Sequence, residues 1–366
     1  MPGQYYRVAI RMNNVKHAFP GELSFLNQRS FKEDAVRDNQ GGNTSASLVV
    51  WDESGRNVVF HMLVDAGMGT IRSLAQASDF GSPKRVDLIL VTHGHIDHHC
   101  ELVYACEMPV RLWKRRDKFP EFQTQPVPVP VYAPGMPSGC ARRLAEIYGY
   151  SIGYHEEGLD AREKVHVAGE AAKKNGWIHA VHSLCPTNGP IRSLRVEEGP
   201  DESHQLKITP VGGVKHANAL IYVVEIGGGD DKKKIVFAWD MECLPWNDLS
   251  ASDVPVVDTL LHDADLMFVE MNTLLPRTTG HISFDSVSEF VNRTKPRECY
   301  VVHYSGFEDE FPGEKDQPVL VQEPIMCLDQ LDDWLKARCN REQVPIVRAA
   351  RAGTWYPSRA GWKWEL

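Results

Sequence analysis

The chain has 366 residues, 42% apolar and 24% charged, a balance too apolar for a disordered polypeptide and sufficient for one large α/β domain or two smaller ones. Forty basic against 49 acidic side chains give a net charge of −9, which argues against a bulk nucleic-acid binder but leaves room for a small anionic substrate met by a metal ion. No apolar run approaches the roughly 18 residues that cross a bilayer, and no stretch of signal-peptide length opens the chain. In chain order, residues 46–51 and 57–64 read as strands around a Gly-containing turn. Asp65-Ala66-Gly67-Met68-Gly69 breaks that pattern, and a helix is expected from about 70 to 78. A short strand over 86–91 runs into a His-rich loop, so strand, Gly-rich turn, helix and strand alternate as in α/β folds. Residues 125–134 carry alternating prolines and favour extended backbone, incompatible with a helix interior. A helix is expected over 138–149, and 155–205 is polar and mixed. Strands return at 206–211, 219–226, 235–239, 265–270 and 298–303, with a helix at 284–293. The Gly- and Lys-rich run at 227–234 reads as a hairpin tip with its three lysines in solvent. Residues 343–355 supply a final strand and turn.

The eight cysteines are scattered without a Cys-x-x-Cys pair, which predicts reduced buried thiols and a cytoplasmic protein. The 15 histidines are many for this length, and their placement is informative. Thr92-His93-Gly94-His95-Ile96-Asp97-His98 packs four candidate ligands into six positions directly after an apolar strand. A tight loop at a strand end can turn such side chains toward one point, and imidazole with carboxylate suits zinc, manganese or iron. His99 fits no such position and reads as structural. His179 and His182 have cluster-like spacing but read as surface residues.

His-x-His-x-Asp-His resembles the signature of the metallo-β-lactamase-fold hydrolases. Four other positions match that family in order. Asp65 closes the strand before Ala66-Gly67, His216 precedes the strand at 219–226, Asp240 ends Ala238-Trp239-Asp240, and His303 ends Val301-Val302-His303. Taken singly, His216 or His303 would be an ordinary strand-end histidine; their order and placement set them apart. The resemblance implies one metal held by His93, His95 and His216, a second by Asp97, His98 and His303, and Asp240 bridging both with a hydroxide. Two divalent ions are therefore expected, zinc by default, with manganese or iron accepted by the same ligands. Asp65 would orient a ligand. The implied fold is a four-layer αββα sandwich, of mixed α/β class, forming one domain over 1–366 with an insertion at about 104–205 that caps or decorates the active site. Many relatives dimerise, so a homodimer is expected.

Val64-Asp65-Ala66-Gly67-Met68-Gly69-Thr70 is similar to the Asp-x-Gly-x-Gly-Thr stretch of the tRNA 3′-processing endonucleases. Gly280-His281-Ile282-Ser283 resembles a segment those nucleases share with PhnP-type cyclic phosphodiesterases, where the His protonates the leaving oxygen. His281 is accordingly the expected general acid, with Ser283 as helix N-cap and Asp285 as a weaker candidate to orient His281. Two departures redirect the substrate expectation. Only 24 residues separate His216 from Asp240, too few for a tRNA-gripping arm, whereas 118 separate His98 from His216. Ala238-Trp239-Asp240-Met241 also replaces the commoner Gly-Asp-Thr. The expected function is metal-dependent hydrolysis of a small molecule, with a phosphodiester as the favoured bond. The alternatives are a lactone, amide or other carbonyl substrate, a tRNA-processing endoribonuclease, and a non-catalytic member of the fold. Di-iron oxygen chemistry is disfavoured, because its family pattern has Glu where this chain has His95.

Overall fold

The computed structural model describes residues 5–15, 44–77, 86–118, 129–135, 140–148, 152–155, 179–184, 192–195, 205–227, 232–274, 280–304, 327–357 and 361–365. Two sheets face each other. The first contains β1 (Tyr5–Asn14), β2 (Ser45–Trp51), β3 (Val58–Val64), β4 (Leu88–Leu90), β5 (Val131–Pro134), β6 (Ile152–His155) and β7 (His179–Leu184). The second contains β8 (Arg192–Arg195), β9 (Gln205–Val211), β10 (Ile221–Ile226), β11 (Lys233–Ala238), β12 (Leu266–Glu270), β13 (Cys299–Val302) and β14 (Val347–Ala349). The chain then returns to the first sheet, where β15 (Trp355–Tyr356) and β16 (Trp362–Glu365) both pair with β1. Strand orders are β15-β1-β2-β3-β4-β5-β7-β6 and β14-β13-β12-β11-β10-β9-β8.

Period-2 alternation explains the layering, since successive side chains of a strand point to opposite faces. Tyr6, Val8, Ile10 and Met12 of β1, Ala46, Leu48 and Val50 of β2, and Met62 and Val64 of β3 share one core with the apolar residues of β9 to β13. The opposite face of the first sheet, through Leu63 and Ile89, packs on helices α3 and α4. In chain order the helices are α1 (Thr70–Gln76), α2 (Ile96–His99), α3 (Leu102–Trp113), α4 (Cys140–Ile147), α5 (Val254–Leu261), α6 (Phe284–Thr294) and α7 (Leu328–Glu342). Phe284, Val287, Phe290 and Val291 of α6 and Leu328, Leu331 and Leu335 of α7 close the outer face of the second sheet. Helix, sheet, sheet and helix make the four-layer sandwich expected from the sequence.

Several expectations are corrected. Residues 5–14, for which no strand was expected, form β1, which sits inside the first sheet between β2 and β15, with β16 also paired to it. The described strands of 104–205 belong to the two sheets. β5, β6 and β7 continue the first sheet and β8 extends the second. A helix not expected from the sequence, α3, carries Pro109 within it. Helix α7 was not expected. The lysines at 232–234 are not merely solvated: Lys232 pairs with Glu225, and Lys234 donates to the carbonyls of Thr259 and His262 at 3.3 and 2.7 Å. Both lie beside the β10–β11 hairpin, whose tip at 228–231 is outside the described residues, as are 125–128 of the Pro-rich stretch and 156–178, 185–191 and 196–204. The seven described cysteines are free thiols. No described helix is long and apolar enough to cross a membrane.

Candidate metal centre

Strand ends of both sheets deliver the polar side chains. From the first sheet come Asp65, just past β3, and the loop after β4 with His93, His95, Asp97 and His98. From the second come His216 ahead of β10, Asp240 after β11, Glu270 ending β12, and His303 after β13. Asp65 and His303 adopt left-handed backbone, with φ of 58° and 55°, at the point where each strand turns into its loop. The sheets are tied together here. Tyr222 Oη donates to the Val91 carbonyl at 2.7 Å, Leu220 N to the Thr92 carbonyl at 2.9 Å, and His303 N to the Val15 carbonyl at 2.8 Å.

The seven residues matched in the sequence come together in three groups, the third overlapping the other two at His93 and His98. His93, His95 and His216 have candidate ligand atoms within 4.8 Å of one another, as do Asp97, His98 and His303, and as do His93, His98 and Asp240. Asp240 is central: its Oδ2 lies 3.2 Å from His98 Nε2, 3.2 Å from His303 Nε2 and 3.9 Å from His93 Nε2. His93 Nε2 and Asp240 Oδ1 are fully buried and make no hydrogen bond. Buried polar atoms are almost always paired, so such atoms converging on one point fit a cation, for which each would be a ligand.

The rings are oriented for that role. His98 Nδ1 lies 2.7 Å from Asp65 Oδ2 and His216 Nδ1 lies 2.6 Å from the Gly280 carbonyl. A ring that donates through Nδ1 presents an Nε2 lone pair. Burial lowers the pKa of His93, with further lowering from His98. Burial likewise lowers His95 and His216, so these three are neutral imidazoles at neutral pH. His98 differs: burial works against its charge, but Asp240 and then Asp65 outweigh it and push it up to about 10. Burial also opposes the Asp240 charge, and His303 and then His98 overcome that and hold it well below the usual carboxylate range.

Asp65 is completely buried and touches no cation site directly. It accepts from Thr92 N at 2.7 Å, Thr92 Oγ1 at 2.7 Å, His98 Nδ1 and Trp239 Nε1 at 2.8 Å. Its neighbour loop is pinned by Glu101, whose carboxylate accepts from Gly69 N and Ile71 N at 2.9 and 2.7 Å. His99 is structural as expected, with Nδ1 3.0 Å from Tyr148 Oη.

His281 sits at the rim, half-buried, with its ring centroid 4.7 Å from that of His216 and 4.8 Å from that of His303. Its Nδ1 contacts Glu270 Oε1, and the same oxygen lies 3.5 Å from His303 Nδ1. Asp285 does not orient His281; it pairs with Arg338 of α7 at 2.9 Å. Ser283 occupies the N-cap position of α6 without a side-chain capping bond. Glu270 is the residue that sequence reasoning missed. A lone glutamate ending an apolar run carries no spacing signal, but β11, β12 and β13 are parallel neighbours, and all three terminate in a site residue.

The description "Metallo-beta-lactamase superfamily" belongs to a family model that matches residues 40–107, the segment holding Asp65, His93 and His98. Ribonuclease Z of Thermococcus kodakarensis is 25% identical over 265 residues, covering 66% of this chain and 74% of that protein. Among solved structures, a diphosphatase from the PhnP family superposes with a TM-score of 0.54 at 14% identity, covering 99% of each chain. The metallo-β-lactamase fold protein YhfI from Bacillus subtilis superposes with a TM-score of 0.52 at 13% identity, covering 97% of this chain and 99% of that one. Residues 40–107 thus match the metallo-β-lactamase superfamily, the chain has the four-layer fold of these solved structures, and it is a metal-dependent hydrolase.

Proposed function

We propose that the protein hydrolyses a phosphodiester in a small molecule, using two divalent cations held by His93, His95 and His216 and by Asp97, His98 and His303, with Asp240 shared between them. The observation that carries this reading is His281 beside the cluster, backed by the buried Glu270. Bound divalent cations supply a nucleophile at neutral pH and polarise the phosphoryl oxygen. The remaining chemistry falls to the chain. Glu270 accepts the Nδ1 proton of His281 and fixes its ring, leaving Nε2 as the atom that hands a proton to the departing alkoxide, which is otherwise too basic to leave. Zinc is the expected metal by ligand type. Asp65 holds His98 in its ligating tautomer.

A carbonyl substrate would use the same nucleophile and polarisation but would not require an acid of this kind for an activated leaving group. A nuclease reading draws on the likeness to Ribonuclease Z. Against it stand the net charge of −9 and the direct β10–β11 hairpin between His216 and Asp240, with no room for a gripping arm. Hydrolysis of bis(p-nitrophenyl) phosphate, an alkyl phosphodiester, an aryl ester and a precursor tRNA by the zinc-loaded protein separates these readings. His281→Ala should reduce alkyl phosphodiester turnover at least a hundredfold more than turnover of the aryl diester. Equal losses would remove the acid role, and efficient tRNA cleavage would replace the small-molecule reading.

A further inference from the structure

Trp239 departs from the small residue usual before the shared aspartate, and its indole is completely buried. It follows β11 of the second sheet, yet donates through Nε1 to Asp65 Oδ2 of the first sheet at 2.8 Å. A carboxylate offers about four acceptor sites. On Asp65, Thr92 N donates to Oδ1, while Thr92 Oγ1, His98 Nδ1 and Trp239 Nε1 converge on Oδ2, and all but the indole come from the first sheet. Among the described residues, the indole is thus the side-chain donor to Asp65 that comes from across the interface between sheets.

We infer that Trp239 is a positioning residue for the metal centre, resting on the reading of His98 and Asp240 as ligands. Each cation would take ligands from both sheets, so its affinity depends on their mutual register. Trp239 sets that register at two points. Its indole anchors Asp65, which aims His98, and its backbone leads directly into Asp240. Without the indole N–H, Asp65 keeps only donors from its own sheet, and the bond that fixes Oδ2, and with it the His98 ring, relative to the second sheet is lost. Removing a partner that orients a ligand through a hydrogen bond costs about 10–100-fold in metal affinity.

The test is zinc affinity by chelator competition for the wild type, Trp239→Phe, Asp65→Asn and the double variant, beside the unfolding midpoint of each metal-free protein. The expected result is a roughly tenfold weaker zinc affinity in Trp239→Phe, with no further loss when it is added to Asp65→Asn, because both act through one bond. A purely packing role would lower the midpoint and leave zinc affinity unchanged, and that outcome overturns the proposal. A wild type that binds no zinc overturns the metal reading beneath it instead. Should Trp239→Phe fail to fold, the wild type labelled with ¹⁵N-tryptophan decides. One indole N–H should be protected from exchange and shift on adding zinc; absence of any such resonance overturns the proposal.

Discussion

Two buried polar clusters lie within the same fold, and they differ in whether the chain completes them. Beneath β1 and β2, Arg11 donates to Asn13 Oδ1 and Ser73 Oγ at 2.9 and 3.0 Å. Asn13 in turn donates to Ser45 and Ser47 at 3.2 and 2.9 Å, and His61 Nε2 lies 2.9 Å from Ser47 Oγ. Donors and acceptors alternate, and the network closes on itself. At the strand ends, His93, His98, His303 and Asp240 instead crowd lone pairs together, with His93 Nε2 and Asp240 Oδ1 making no hydrogen bond. A closed network rigidifies a core, whereas an open one holds a place for a charge that the chain does not supply. The two meet where Ser45 Oγ donates to the Asp65 carbonyl at 2.9 Å, so the closed cluster supports the turn that aims the open one.

The comparison is broken most directly at Asp240. Asp240→Asn keeps the shape and removes the shared negative charge. Zinc affinity should fall more than a hundredfold and turnover at least a thousandfold, measured by chelator competition and by phosphodiester hydrolysis. Metal-free stability should fall as well, because the lowered Asp240 pKa and the raised His98 pKa mark a buried ion pair that the substitution breaks. A variant that keeps wild-type zinc affinity would place Asp240 with the closed cluster.

The reciprocal change is Asn13→Ala. It strips one partner from a buried guanidinium and leaves Ser45 and Ser47 without their donor, a loss of about 2–4 kcal/mol in urea unfolding. Zinc affinity should stay within threefold of wild type. A loss of zinc affinity in proportion to stability would mean that the two clusters form one cooperative unit.

What the sequence shows of each cluster follows from how local its pattern is. His93, His95, Asp97 and His98 stand out because one loop carries them all, and His216, Asp240 and His303 because each follows an apolar strand. Glu270 and Trp239 are silent in the sequence because their partners, His281 and Asp65, are brought close only by the pairing and stacking of strands. The closed network is silent for the same reason, since Arg11, Asn13, Ser45, Ser47, His61 and Ser73 come from four separate elements. The fold follows the same rule. Alternation of Tyr6, Val8, Ile10 and Met12 marks β1, and the spacing of Leu328, Leu331 and Leu335 marks α7, yet both lie outside the stretch that resembles the family and are easily passed over. The strands between 131 and 195 have only four to six residues each, too short for periodicity to declare them.

The finest test concerns a third carboxylate, for which the chain supplies its own cations. Glu225 of β10 is buried, and Lys207 stands opposite it on β9 with Nζ 2.9 Å from Oε2, while Lys232 reaches Oε1. Burial raises the Glu225 pKa, but the bonds from Lys232 and Lys207 outweigh it and leave the group below its ordinary value of 4.5. A depressed folded-state pKa means that the pairing stabilises the protein fully above the unfolded-state value and that the contribution disappears as pH falls through the lowered one. Both lysines are well exposed, so screening limits the gain to about 0.5–1 kcal/mol. Glu225→Gln should therefore be less stable than wild type by that amount in urea at pH 7, and the gap should close below pH 4.5 and shrink at high salt. Zinc should not alter the gap. Had the chain placed two lysines around Asp240 as it does around Glu225, the centre would need no metal; a pH- and salt-dependent gap that zinc leaves untouched is the signature that separates a carboxylate neutralised from within from one that waits for an ion.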